Sequence, residues 1–202
     1  DGNGAPPKFW SDLDLHAFDF GHSYMTAIFN APDDPLSQSY FASLAAKVGE
    51  DRAKEILGVN RHNTIIYPSC SPHTSFQQWR VIRPLSVDRT LVEIFTFRLD
   101  GAPEALLQRT FTYSNVVNSP SSIVMTDDVH VYAECQKGLA TQGGDWVSQH
   151  RNAGQDLPFL GADGGEIGVG TSELPIRNQF RAWREYMTGD VSETIPLQGS
   201  ER

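Results

Sequence analysis

The 202 residues amount to 22.4 kDa, enough for one domain with short appendages and too little for a multidomain assembly. Sixteen basic against twenty-five acidic residues leave a net charge of −9, with no basic cluster to offset it, which argues against nucleic-acid binding. No apolar run approaches the ~20 residues needed to cross a bilayer. Cys70 and Cys135 lack CxxC spacing, which excludes an iron–sulfur or zinc-ribbon site built from this chain alone and fits a reducing, cytoplasmic setting.

Asp1-Gly2-Asn3-Gly4-Ala5-Pro6-Pro7 carries no initiator Met, signal-peptide core or transit pattern. It resembles a loop cut from something longer. Residues 1–12 are therefore expected to be a loop at a truncated boundary, 13–187 the domain, and 188–202 a flexible tail.

Alternation from Leu13 to Phe20 and the apolar run Tyr24 to Phe29 predict two strands, or one bent strand, around Gly21-His22. After the break at Pro32 to Pro35, helical spacing runs from Ser37 to Leu57, with Gly58 placed as a C-cap. Asn63 to Tyr67 predicts a short strand ended by Pro68. Phe76–Arg83 and Leu91–Leu99, separated by a short polar loop, predict an antiparallel hairpin. Ala102–Val117 and Met125–Ala140 predict helices, the second capped by Thr126 with Asp127 and Asp128 at its positive end. Gly161–Gly170 reads as a mobile surface loop, and Arg177–Met187 as a closing amphipathic helix. Strands early and helices late make an α+β pattern with an antiparallel sheet.

On the helix from Met125, one face collects Val124, Asp128, Val131, Tyr132, Cys135 and Leu139. Asp128 is the single charge on that stripe, whereas Asp127 points elsewhere. A carboxylate heading into a core needs a hydrogen-bond cluster, a cation or a metal; two acids in a first turn that merely complement the helix dipole are the plainer alternative. A carboxylate joined by two imidazoles would make the facial triad of non-haem iron(II). Yet the six histidines offer no HxH, HExxH or HxxxH pair, and each is more simply a structural or solvent-facing residue. No GxSxG, P-loop or Rossmann glycine pattern occurs either.

Three segments carry a family resemblance. They are Gly58-Val59-Asn60-Arg61-His62-Asn63-Thr64-Ile65-Ile66-Tyr67-Pro68-Ser69, Trp79-Arg80-Val81-Ile82-Arg83-Pro84-Leu85-Ser86-Val87-Asp88-Arg89-Thr90, and Asp127-Asp128 followed by Glu134-Cys135-Gln136-Lys137-Gly138-Leu139. In order, and with the closing Ile176–Met187 segment, they resemble the catalytic domain of Rieske-type aromatic-ring-hydroxylating dioxygenase large subunits, in the benzoate, toluate and anthranilate group. The resemblance implies a helix-grip domain of the Bet v1/START type, a curved antiparallel sheet over a long C-terminal helix. It implies mononuclear Fe(II) held by two histidines and Asp128, and electrons from a Rieske [2Fe–2S] centre in the N-terminal domain of a neighbouring subunit. It further implies NAD(P)H through a separate reductase or ferredoxin, a trimer of large subunits with or without a small β-subunit, and addition of O2 to an aromatic ring as a cis-dihydrodiol. Pocket walls would come from the strand carrying Asn63, the turn reaching His73, and the residues before Asp127, Val124 among them.

The Rieske Cys/His motif and the paired iron histidines are absent from this chain, so alone it offers one iron ligand of three. By alternation Arg61 shares a face with Asn63, Ile65 and Tyr67, which the resemblance places at the pocket. At its rim, Arg61 could pair bidentately with an aromatic carboxylate, or it is a surface residue at the strand's end. A non-catalytic helix-grip carrier of an apolar small molecule is the alternative reading of the whole chain.

Overall fold

The computed structural model describes residues 12–26, 34–59, 61–73, 76–144, 146–158 and 164–189. Residues 1–11 of the loop expected over 1–12, the second half of the Tyr24–Phe29 run, residues 161–163 of the Gly161–Gly170 stretch and residues 190–202 of the tail expected from 188 lie outside them. Among the described residues, eight strands form two antiparallel sheets. The first holds β1 (Asp14–Ala17), β2 (Ser23–Met25), β3 (His62–Ile65), β7 (Leu157–Pro158) and β8 (Glu166–Val169) in the order β3-β2-β1-β8-β7. The second holds β4 (Cys70–His73), β5 (Gln78–Ser86) and β6 (Arg89–Thr96), in that order. A bridge between Ile66 and Cys70 carries the chain from one sheet to the other.

Five helices accompany the sheets among the described residues: α1 (Pro35–Val48), α2 (Glu50–Leu57), α3 (Glu104–Val117), α4 (Ile123–Leu139) and α5 (Leu174–Thr188). The single helix expected over 37–57 is broken at Gly49, whose φ of 87° a side chain would oppose. Asp34 caps α1, accepting from the backbone N–H groups of Leu36 and Ser37 at 3.0 Å, and it also pairs with Arg109 of α3 at 2.9 Å. That double engagement holds its carboxyl down to about 2, with the Ser37 bonds the larger cause.

The hairpin β5–β6 is as expected, closed by a turn at Val87-Asp88. Two expectations are corrected. Helix α4 starts a turn early because Ser122 caps it through Val124 N–H, while the Thr126 hydroxyl turns back to the Ser122 carbonyl. Asp127 and Asp128 therefore sit beyond the first turn. The second correction concerns Gly161–Gly170. Its latter half contains β8, which pairs with β1 in the middle of the first sheet. Gly168 explains why a glycine-rich run forms a strand there: a Cβ would lie 2.6 Å from Asp156 Oδ1 and 3.3 Å from Leu174.

β1 is covered on both faces. Leu15 and Ala17 are buried in the core with Leu13, Leu174 and Ala182, while His16, on the opposite face, is buried against the Tyr24 ring at 4.4 Å. α5 crosses the turn between β1 and β2, where Phe20 and Gly21 take positive φ. The Asn178 side-chain amide donates to the carbonyls of Phe18 (2.9 Å) and His22 (3.0 Å), and the His22 carbonyl also accepts the Phe18 N–H across the turn at 2.8 Å. Gly21 lies so close that a Cβ would stand 2.8 Å from the Tyr67 ring and 2.9 Å from Ala182. Behind the helix start, Arg177 donates to Asp156 at 2.5 Å and to the Arg151 carbonyl at 2.9 Å. The resulting architecture is the expected α+β arrangement, an antiparallel sheet packed by the C-terminal helix.

Asn178→Ala removes two part-buried hydrogen bonds between α5 and the turn and should lower the unfolding free energy by about 1–3 kcal/mol. Gly21→Ala should cost a similar amount through overpacking and the positive φ. Urea unfolding of the two variants checks both values.

Candidate functional site

The residues singled out in the sequence fall into two groups. Val124 and Asp128 lie one turn apart on α4, and Val124 is 51% exposed. Asp128 is exposed, as is Asp127; no residue of this helix is buried. The apolar stripe read from the sequence is present, but Val131, Tyr132 and Leu139 meet solvent instead of a core. Thus the inward placement expected of Asp128 is not what this chain displays. Burying that stripe requires a covering layer, and the described residues provide none. The Gln136 amide, donating to the Val87 carbonyl at 3.3 Å, ties the far end of α4 to the hairpin tip.

The second group forms around His73. Strand β3 contains one residue more than its partner β2 between paired positions, with Met25 opposite His62 and Ser23 opposite Ile65. Asn63 takes up that bulge with φ 44°, which Asn tolerates better than a branched residue. Regular alternation is therefore lost. Arg61 and Asn63 are both exposed, and the Arg61 guanidinium stacks over Tyr24 at 4.9 Å. It is His62, between them, that reaches inward, its ring meeting His73 edge-on at 4.2 Å.

His73 ends β4 and is buried, packed against Phe76 at 4.6 Å; Phe76 in turn stacks on Tyr113 of α3 at 3.7 Å. Thr110, one turn earlier on α3, donates to the Gln77 side chain and joins the helix to the strand start. Gln78, opposite His73 in the ladder, is fully buried. Arg80 follows on the same face, and its Nη2 donates to Gln78 Oε1 at 3.4 Å. The signal for Gln78 and Arg80 was present in the sequence as strand alternation. Nothing in β5 itself said which face would be covered.

Burial pushes the His73 imidazole down to about 4, and the charges of His62 and Arg80 push the same way. His62 is also lowered, first by burial and then by Arg80, and burial lowers His16. His16 and His22, six residues apart, do not form a pair of ligands. His16 stacks on Tyr24, while His22 Nδ1 accepts the Tyr67 N–H at 3.1 Å. Among the described residues, no three His, Cys, Asp or Glu side chains converge as a metal site. Cys70 and Cys135 are free thiols. No helix among the described residues is long and apolar enough to cross a membrane.

The folded protein holds His73 neutral, so the unfolded chain binds the extra proton between its ordinary value of 6.5 and about 4. Stability is accordingly full above pH 6.5 and falls as the pH drops toward 4, by on the order of 1 kcal/mol per pH unit. His73→Leu should flatten that slope in urea unfolding series run at successive pH values.

No family model matches the chain. It is 33% identical over 133 residues to toluate 1,2-dioxygenase subunit alpha of Pseudomonas putida, covering 64% of this chain and 28% of that protein. It is 31% identical over 150 residues to the 2-halobenzoate 1,2-dioxygenase large subunit of Burkholderia cepacia, covering 71% and 32%. The chain thus spans less than a third of the length of these relatives. Among solved structures, a naphthalene 1,2-dioxygenase variant bound to phenanthrene superposes with a TM-score of 0.69 at 17% identity, covering 91% of this chain and 43% of that one. Naphthalene 1,2-dioxygenase from Rhodococcus sp. bound to indole gives 0.70 at 15% identity, covering 93% and 48%. In sequence the chain is similar to the large subunits of aromatic-ring-hydroxylating dioxygenases, and its fold is that of the corresponding part of naphthalene 1,2-dioxygenase.

Proposed function

We propose that this chain is the downstream, substrate-pocket part of the catalytic domain of a ring-hydroxylating oxygenase large subunit acting on an aromatic acid. The observation that carries the reading is the sequence match to two large subunits named for benzoate-type acids, on a fold that follows naphthalene dioxygenase over nine-tenths of the chain. It favours an oxygenase over a carrier of apolar molecules.

In this reading the whole protein uses mononuclear Fe(II) and a Rieske [2Fe–2S] centre. Two electrons from NAD(P)H, delivered by a reductase or ferredoxin, and two protons balance the addition of both atoms of O2 to the ring. The described residues do not by themselves make an iron site, and Asp128 is the one ligand this chain would contribute. Large subunits would assemble as a trimer, with or without a small β-subunit. Asn63, His73 and Val124 are pocket positions. Arg61, exposed and engaged over Tyr24, is left at the surface.

The test uses the full-length protein with its electron donor. Benzoate-type acids should be converted to cis-dihydrodiols with one NAD(P)H and one O2 consumed per product. Asp128→Ala should abolish iron occupancy at the mononuclear site while leaving the Rieske absorption spectrum intact, and Asp127→Ala should retain the iron. Retention of full iron by Asp128→Ala would remove Asp128 from the site.

A further inference from the structure

Alternation along β5 puts Gln78, Arg80 and Ile82 on one face of the second sheet, across from Thr96, Ile94 and Val92 of β6. Exposure climbs along that face. Gln78 is 0% exposed, Arg80 and Ile82 are half-buried, and Val92 is 46% exposed. The face is covered at Gln78 and open toward the hairpin tip, with apolar residues at its open end.

The closed end is polar and incompletely bonded. His73, 4% exposed, faces Gln78 across the ladder. The Nδ1 of His73, the Nε2 of Gln78 and the Nε of Arg80 are all buried without hydrogen-bond partners among the described residues. The Arg80 guanidinium has only its 3.4 Å bond to Gln78, and no carboxylate among the described residues pairs with it. Glu93 on the neighbouring strand is on the opposite face, across from Val81, and pairs with Arg83.

A guanidinium partly withdrawn from water without a counter-charge is costly, as are buried donors without acceptors. Two imidazoles held neutral leave Arg80 as the one cation of the cluster. The complement to these groups is an anion that only accepts hydrogen bonds, attached to an apolar body. We propose that Arg80, with Gln78 and His73, forms the subsite that reads the carboxylate of an aromatic acid, the ring lying over Ile82 and Ile94. The planar fork of Arg80 matches a carboxylate bidentately, while the Gln78 amide and one His73 N–H supply further donors. Specificity follows from the same groups: a neutral arene leaves them unsatisfied, whereas an acid satisfies them.

This subsite rests on the oxygenase reading for its substrate, but direct binding separates the two. Benzoate and benzamide are titrated calorimetrically into the full-length protein and its variants, with unfolding midpoints taken alongside. Arg80→Met should weaken benzoate at least about tenfold and benzamide less than about threefold, and Arg80→Lys should recover part of the benzoate affinity. If Arg80→Met fails to fold, His73→Leu gives the second reading and should also weaken benzoate more than benzamide. Equal losses for both ligands, or unchanged benzoate affinity, overturn the subsite. Arg80-dependent benzoate binding without diol formation would sink the oxygenase reading and leave the subsite standing. Diol formation from neutral arenes, with benzoate indifferent to Arg80, would do the reverse.

Discussion

The contact between α5 and the turn after β1 is the constraint on which the other placements depend. That turn brings the Phe18 and His22 carbonyls to α5, and the Asn178 amide donates to both. The bonds are possible because Gly21 lets helix, turn and the Tyr67 ring approach without a Cβ between them. Tyr67 belongs to the corner where the chain leaves β3, and the Ile66–Cys70 bridge follows at once. One close approach therefore sets the C-terminal helix on the first sheet and also starts the second sheet. His73 closes β4, so its position descends from the same corner.

From there the two sheets serve different ends. The first has its central strand covered on both faces, with Leu15 and Ala17 beneath α5 and His16 against Tyr24. It behaves as a scaffold. The second is covered by α3 only near its base, where Thr110 and Tyr113 meet Gln77 and Phe76. Polar groups accumulate under that partial cover, and low local polarity keeps His62 and His73 neutral. The cluster is thus a product of where the cover stops. α4 shows the complementary case: an amphipathic helix that keeps its apolar stripe while nothing among the described residues lies over it.

The relatives show how loosely fold and sequence are coupled here. Identity near 16% with naphthalene dioxygenases accompanies superposition over nine-tenths of the chain. Backbone architecture needs only the alternation of strands, the special turn and a packed helix, and many sequences satisfy these.

The sequence by itself determined the element types. Period-two runs specified the hairpin and β1, and helical spacing specified α3, α4 and α5 within a few residues. The quoted motifs also pointed to the dioxygenase large subunits that the chain is similar to. It could not foresee β8, because a glycine-rich run becomes a strand only when Asp156 and Leu174 crowd the space a side chain would fill. Nor could alternation survive the bulge at Asn63, which leaves Arg61 outside and brings His62 inward. Gln78 and Arg80 were visible as neighbours on a strand face, but which face is covered depends on α3, nearly thirty residues later in the chain. Local pattern fixes what a segment becomes; only tertiary packing decides which of its side chains lose water, and that loss keeps the His73 imidazole neutral.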